Sequence, residues 1–406
     1  VITASAALTG KRCTLGVTGS IACYKAVEVA SRLTQIGVEV RTVLTASATR
    51  FVRPLAFQAV TGKPAYGPEA LWSQDAHILH TRLGQETDLL AIAPATAHTL
   101  AQLAAGQADN LLLVTALAYR GPLLAAPAMD GGMWDHAATQ ANVAVLRERG
   151  VVFVGPVQGH LASGQSGIGR LAEPEQVMGT LRALLGRGGS LADRHVVVTA
   201  GGTREPMDAV RHLANRSSGK QGAALAQAAR DQGARVTLVT TVPVERATAT
   251  EVRRVGTARE MQAAVLEACR AADVLVMAAA VADFRPQTAS LHKIKKSAGI
   301  PQIQLVPNPD ILHAVGQQRM QERGPRVVVG FAAETQDWQE NGRLKLESKN
   351  LDLMVVNDVS RADIGFGSEF NAAWLLHRDG PVEELPRMTK FALAEVVMAR
   401  VAALLQ

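Results

Sequence analysis

Asp283, Lys293, Lys295 and Lys296 lie close together in the sequence, with an Arg285-Pro286 turn between the acid and the lysines. A carboxylate and an ammonium cluster could hold and neutralise a phosphorylated ligand; standing alone, residues 293–296 read as a solvated basic patch. Their position favours the ligand. They follow the apolar run 273–277, a buried strand by pattern, through the small residues 278–282. Ligands in open α/β sheets bind beyond the carboxyl ends of strands. A second group is the Gly201-Gly202-Thr203 turn with Asn215, Ser217, Ser218, Gly219 and Lys220. It is either a Ser-capped helix start or a triphosphate cradle of backbone N–H groups. Its spacing is not that of a Walker A loop. Lys345 and Lys349 share a helix face at i, i+4. His77 is a candidate acid–base group because imidazole titrates near neutrality, although a lone histidine is more often structural. His80 and His98 are read as structural.

The elements that must position these groups alternate between short apolar runs and helices. Residues 13–18 read as a strand, followed by the small turn Gly19-Ser20-Ile21 and a helix to Gln35 that Gly37 closes. Such a helix start favours a phosphate. Further strands at 38–44, 87–93 and 121–126 end in small or hydroxyl residues. The second half repeats the style without a residue-level repeat: strands at 195–200, 327–335 and 353–358, a Pro-rich turn at 306–311, and a packing helix at 390–405. Residues 181–194 pass from helix-like to Gly-rich. The expected fold is α/β, two doubly wound Rossmann-like domains, residues 1–188 and 189–406.

Composition narrows the class. A chain of 406 residues suits two or three domains. The net charge of +6 could indicate nucleic acid, but aromatics are only 4% and no basic stripe interleaves with them, so phosphorylated small molecules are the better partners. Three cysteines without paired spacing argue against a disulfide or zinc framework and for a reducing cytosol. No long apolar run predicts a membrane span, and residues 1–10 do not read as a signal peptide. The expected location is cytoplasmic.

Several segments together resemble the bifunctional coenzyme A biosynthesis family, a phosphopantothenoylcysteine decarboxylase fused to a phosphopantothenate–cysteine ligase. GVTGSIACYK (16–25), LTASA (44–48), APAT (93–96) and PAMDGGMW (127–134) are similar to its decarboxylase half; TAGGTREP (199–206), SSGK (217–220) and AAAVADFRP…KIKK (278–296) to its ligase half. The resemblance implies FMN on Gly19, Ser20, Ile21, Thr45, Ala93, Pro94, Ala95, Thr96 and Met129, in a flavoprotein-decarboxylase fold. Asp130 and Met133 would face the substrate, with His77 as the acid–base residue. In the ligase half it implies Asn215 on the acyl-nucleotide and Lys293 in the activation step. Ala279, Asp283, Pro309, Asp310, Ile311, Phe331, Lys345 and Lys349 would surround CTP, with Mg²⁺ as a further cofactor whose ligands are not indicated. Trimeric flavin contacts and paired ligase domains would make a homo-oligomer.

The implied chemistry gives these residues tasks. The cysteinyl carboxylate of 4′-phosphopantothenoylcysteine needs an electron sink; thiol oxidation by FMN creates one, and the resulting ene-thiolate must then be reduced to 4′-phosphopantetheine. In the ligase, CMP transfer from CTP makes an acyl-cytidylate that the cysteine amine opens, with phosphate charge neutralised by lysines and Mg²⁺. Two residues depart from the family pattern. Ser163 stands where many members have a proton-donating cysteine in a flap, residues 161–174; a hydroxyl is far less acidic than a thiol of pKa about 8.5. Asp130 stands where the motif usually has Asn. Either it is protonated and donates to the substrate carboxylate, or it is turned away in an Asp-Gly-Gly turn. The alternatives are an active ligase with an altered decarboxylase half, or a first half that binds FMN as a non-catalytic regulatory module.

Overall fold

The computed structural model describes residues 3–72, 76–161, 164, 166–244, 250–296, 300–321, 324–334, 337–358, 364 and 367–406. The chain divides into two compact units, Ile2–Gly186 and Arg187–Gln406.

In the first unit the strands are β1 (Arg12–Val17), β2 (Glu39–Leu44), β3 (Ala65–Tyr66), β4 (Leu89–Ala95), β5 (Leu123–Pro127) and β6 (Val152–Phe153). They form a parallel sheet in the order β3-β2-β1-β4-β5-β6. The helices are α1 (Cys23–Gln35), α2 (Pro54–Thr61), α3 (Ala76–Gln85), α4 (Ala97–Ala105), α5 (Leu111–Ala118), α6 (Gly131–Asp135), α7 (Ala137–Glu148) and α8 (Pro174–Leu185). Side chains alternate across a strand, and β4 shows the consequence. Leu89, Ala91 and Ala93 pack with α1, α2 and α8 on one face; Leu90 and Ile92 pack with α3, α4, α5 and α7 on the other. Burial on both faces explains why β4 reads as a continuous apolar run. A hairpin of β7 (Val157–His160) and β8 (Ser166–Arg170) projects before α8.

The second unit repeats the plan. Its strands are β9 (His195–Ala200), β10 (Arg204–Pro206), β11 (His212–Ala214), β12 (Arg235–Thr240), β13 (Glu251–Arg254), β14 (Val274–Met277), β15 (Phe284–Pro286), β16 (Leu305–Pro307), β17 (Val327–Glu334), β18 (Leu353–Asp358), β19 (Phe370–His377) and β20 (Val382–Thr389). The main sheet runs β13-β12-β9-β14-β17-β18-β19-β20, with β10-β11 and β15-β16 as separate antiparallel pairs. The helices are α9 (Lys220–Asp231), α10 (Ala258–Cys269), α11 (Ile311–Gln321), α12 (Trp338–Ser348) and α13 (Lys390–Leu404). Val196 and Val198 face α9 and α13, while Val197 faces the α10 side. Up to β18 the order is the same as in the first unit; β19 and β20 then add an antiparallel edge that the sequence reading lacks.

In both sheets the strand order reverses beside the first strand, between β1 and β4 and between β9 and β14. Doubly wound sheets place their ligands at such a switch point.

Candidate functional site

The cleft of the first unit, about 630 Å³, opens at these strand ends and has the size of a small-molecule site. Gly19, Ser20, Thr45, Thr96, Met129 and Met133 line it. Gly19 is required by close approach: a Cβ there would sit 2.3 Å from Ser47 Cβ, so only glycine lets the β1–α1 turn lie against the loop after β2. Ser20 Oγ accepts from Ala22 N–H at 3.2 Å. Thr96 Oγ1 accepts from Thr99 N–H and caps α4. The buried Thr18 hydroxyl donates to the Pro94 carbonyl and accepts from Thr96 N–H, tying β1 to the end of β4. Hydroxyls and a glycine turn thus meet Met129, Met133 and Ala128. A planar ring with a phosphorylated tail fits that lining: the helix start suits the phosphate, the methionines the ring.

Ala93, Pro94 and Ala95 do not line the cleft; they are buried in β4 and set its end. Ile21 and Asp130 line an adjoining, more apolar pocket of about 400 Å³ with Leu161 and Leu171. Met129 N–H donates to the Gly169 carbonyl, joining this region to the β7–β8 hairpin. Asp130 Oδ1 accepts from Gly132 N–H at 3.0 Å and caps α6. His77 lies in the first turn of α3, but its side chain is outside the described residues, as is Ser163. Ser47, His98, Asp109 and Asn110 also line the first cleft and were not singled out as site residues from the sequence. His98 stands two residues after the Thr96 cap, in the first turn of α4, a signal that its neighbourhood carried.

In the second unit Asn215, Ala279, Asp283, Pro309, Asp310, Ile311, Phe331, Lys345 and Lys349 line one cleft of about 400 Å³. Ala279 N–H donates to Thr199 Oγ1, Ala280 N–H to the Gly201 carbonyl and Ala282 N–H to Thr203 Oγ1, so the segment after β14 is pinned by the end of β9. Gly202 carries the opposite contact: a Cβ there would be 2.8 Å from the Asn215 carbonyl oxygen. Asn215 Nδ2 donates to the Val281 carbonyl, and Asn308 Nδ2 to that of Ala282. Lys349 is not within the helix, as its spacing suggested, but is the C-cap of α12, paired with Asp310 at 3.2 Å. A smaller cavity of about 130 Å³ shares Ala279, Ala280 and Phe331 and is lined also by Ser217, Gly219, Lys220, Asn357 and Lys390. Burial, then repulsion from Lys220, lowers the Lys390 pKa. Lys293 is exposed and lines neither cavity. Among the described residues no three His, Cys, Asp or Glu side chains converge as a metal cage, and no helix is long and apolar enough to cross a membrane.

Two family models match the chain: flavoprotein over residues 2–186, and DNA/pantothenate metabolism flavoprotein C-terminal domain over residues 191–405. The coenzyme A biosynthesis bifunctional protein CoaBC of Mycolicibacterium smegmatis is 44% identical over 411 residues, covering 98% of both chains. That of Bacillus subtilis is 40% identical over 401 residues, again covering 98% of both. The solved C-terminal domain of a CoaBC protein is 32% identical and covers 54% of this chain and 98% of its own, with a TM-score of 0.45. With both halves matched in order and relatives alike from end to end, the chain belongs to the family of bifunctional coenzyme A biosynthesis proteins.

Proposed function

We propose that the first-unit cleft holds FMN for decarboxylation of 4′-phosphopantothenoylcysteine, and that the second-unit cleft holds CTP while phosphopantothenate is activated. As a family member the chain is a bifunctional enzyme of coenzyme A biosynthesis, a phosphopantothenoylcysteine decarboxylase and a phosphopantothenate–cysteine ligase. The observation that carries the site assignment is the convergence of Asn215, Asp283, Lys345 and Lys349 on one strand-end cleft.

In the ligase the substrate carboxylate attacks the α-phosphorus of CTP, and the bond to pyrophosphate breaks. The cysteine amine then attacks the acyl carbon, and CMP leaves with the bonding electrons. Lys345 and Lys349 offset phosphate charge, Asn215 holds the acyl-nucleotide, and Lys293 takes part in the first step. Among the described residues no carboxylate cage for Mg²⁺ forms, and the positive charge at the cleft is that of Lys345 and Lys349.

In the decarboxylase, bound FMN would supply the two-electron exchange with the substrate's cysteinyl carbon–sulfur unit. The chain's own part is to hold and orient. The turn at Gly19 and Ser20 receives the phosphate, Thr45 and Thr96 present hydroxyls, and Met129 and Met133 flank the ring and substrate. His77 moves the proton. In this reading a water or another flap group supplies the proton of the final reduction; Ser163, in place of a more acidic thiol, favours a second reading in which that reduction is slow or altered. The exposure of Ile21 and Tyr24 beside the cleft supports a homo-oligomer with trimeric flavin contacts; ligase pairing and a cytoplasmic location complete the reading.

The test measures CO₂ release from phosphopantothenoylcysteine and pyrophosphate release from CTP plus phosphopantothenate, with the flavin-loaded protein. Both are expected, with 4′-phosphopantetheine as final product. Release of only the oxidised ene-thiol would establish the altered decarboxylase. Lys293→Gln is expected to collapse pyrophosphate release and spare CO₂ release; wild-type pyrophosphate rates would remove Lys293 from the mechanism.

A further inference from the structure

Asp208 lines neither cavity of the second unit, yet its side chain is fully buried and its carboxylate is saturated. Oδ1 accepts from the backbone N–H groups of Val210 and Arg211, both at 2.8 Å. Oδ2 accepts from Arg211 Nε at 3.0 Å, from Arg211 Nη2 at 2.6 Å and from Ile294 N–H at 3.1 Å. The same Arg211 Nη2 donates to the Ile294 carbonyl at 2.8 Å. The Asp208–Arg211 pair therefore takes both backbone polar groups of Ile294, as a neighbouring strand would. A second anchor lies earlier in the loop, where Ser290 N–H donates to the Met207 carbonyl.

We propose that Asp208 is a positioning residue for acyl activation: with Arg211 it clamps the backbone at Ile294 and so holds the adjoining Lys293 in register with Asn215. The inference rests on the reading of Lys293 given above. The connection is short at both ends. Lys293 precedes Ile294 directly, and Arg211 precedes β11, whose end leads into Asn215 in the nucleotide cleft. Lysine is a point charge on a flexible stem, so its use depends on where its backbone is fixed. Arg211's guanidinium, aided by the backbone N–H bonds, holds the Asp208 carboxyl far below the usual carboxylate range, so the clamp stays charged at any pH at which the enzyme would work.

Asp208→Asn tests this with little change of shape, because an amide NH₂ at either oxygen position faces N–H donors it cannot satisfy. Hydrogen exchange of the residue 291–296 segment in the substrate-free protein should show Ile294 losing protection. Pyrophosphate release should fall by about 10- to 100-fold, while CO₂ release stays unchanged. In the Lys293→Gln background Asp208→Asn should add no further loss. Arg211→Lys keeps a counter-ion for Asp208 but not the full fork to the Ile294 carbonyl; it should give a smaller loss and covers the case in which Asp208→Asn unfolds the unit. Retained protection of Ile294 in both variants overturns the clamp. A full additional loss in the double variant overturns action through Lys293. Wild-type rates in Lys293→Gln overturn the underlying reading of that lysine, an outcome separable from the exchange result.

Discussion

The Lys25 ammonium lies 2.8 Å from Glu173 Oε2, with the lysine side chain only 8% exposed and the glutamate 42%. Lys25 is on α1, which begins at the Gly19–Ser20 turn; Glu173 is the N-cap of α8 and also pairs with Arg170 at the end of β8. One carboxylate thus fastens the hairpin base to the helix behind the first cleft.

The two ends of this pair should respond unequally. Glu173→Gln leaves a buried ammonium without its counter-ion, whereas Lys25→Met puts an apolar chain in an apolar place and leaves Glu173 with Arg170 and water. Breaking a fully buried pair costs about 3–5 kcal/mol. With Glu173 half solvated, about 1–3 kcal/mol is expected for Glu173→Gln and less for Lys25→Met. Urea titration of the first unit's unfolding should give that order; the reverse order would mean that the ammonium is not desolvated.

Asp130 invites a comparison of two substitutions. Its Oδ1 caps α6 through Gly132 N–H, a role that Asn performs equally well. Asp130→Asn should therefore leave the pH profile of CO₂ release where it is in the wild type, while Asp130→Ala loses the cap and about 1 kcal/mol of stability. A profile displaced by the Asn substitution would show instead that the carboxyl confronts the substrate.

His195 should make the second unit acid-sensitive. Its ring is buried, with Nδ1 3.0 Å from the Ala271 carbonyl and Nε2 2.9 Å from Thr237 Oγ1. A carbonyl only accepts, so Nδ1 carries the proton and Nε2 accepts. Burial, with Arg235 adding to it, pushes the pKa down, and Ala271, Asp273 and Glu251 oppose the shift. The unfolded ring protonates near pH 6.5. The neutral-ring contribution is thus complete above that value and falls away as pH drops toward the lower folded pKa, at no more than about 1.4 kcal/mol per pH unit. Denaturant midpoints measured on either side of pH 6.5 should show this loss, and His195→Gln should flatten it. An equal acid limb in that variant would assign the sensitivity to other groups.

Much of this architecture is written in short-range pattern. The apolar runs at β4, β9 and β14 are buried on both faces, so their composition alone marks them as interior strands. The cleft walls at 278–282 were legible because small residues continue a strand past its end. What escaped depends on distance in sequence. Asp208 meets Ile294 across 86 residues, and nothing near either one announces the other. The edge strand β20 contains Pro386 and the adjacent acids Glu383 and Glu384, features that weigh against a strand unless it lies at a sheet margin. Ser47 and Asp109 reach the first cleft only because separate loops converge there.

Gly19 gives the sharpest test of that convergence. Alanine would place a methyl group 2.3 Å from Ser47 Cβ and 3.1 Å from Ser47 C, so either the β1–α1 turn or the loop after β2 must retreat. Both line the same cleft, and retreat of either widens the phosphate end while leaving Met129 and Met133 in place. Flavin affinity, followed by fluorescence quenching, should fall at least about tenfold, a loss of roughly 1.4 kcal/mol. Ser20→Ala removes only the hydroxyl that receives Ala22 N–H and should weaken binding less. Pyrophosphate release should be untouched in both, because the second unit has its own sheet and cores. Wild-type flavin affinity in Gly19→Ala would mean that this turn does not carry the phosphate, and the cofactor would have to be sought elsewhere along the strand ends.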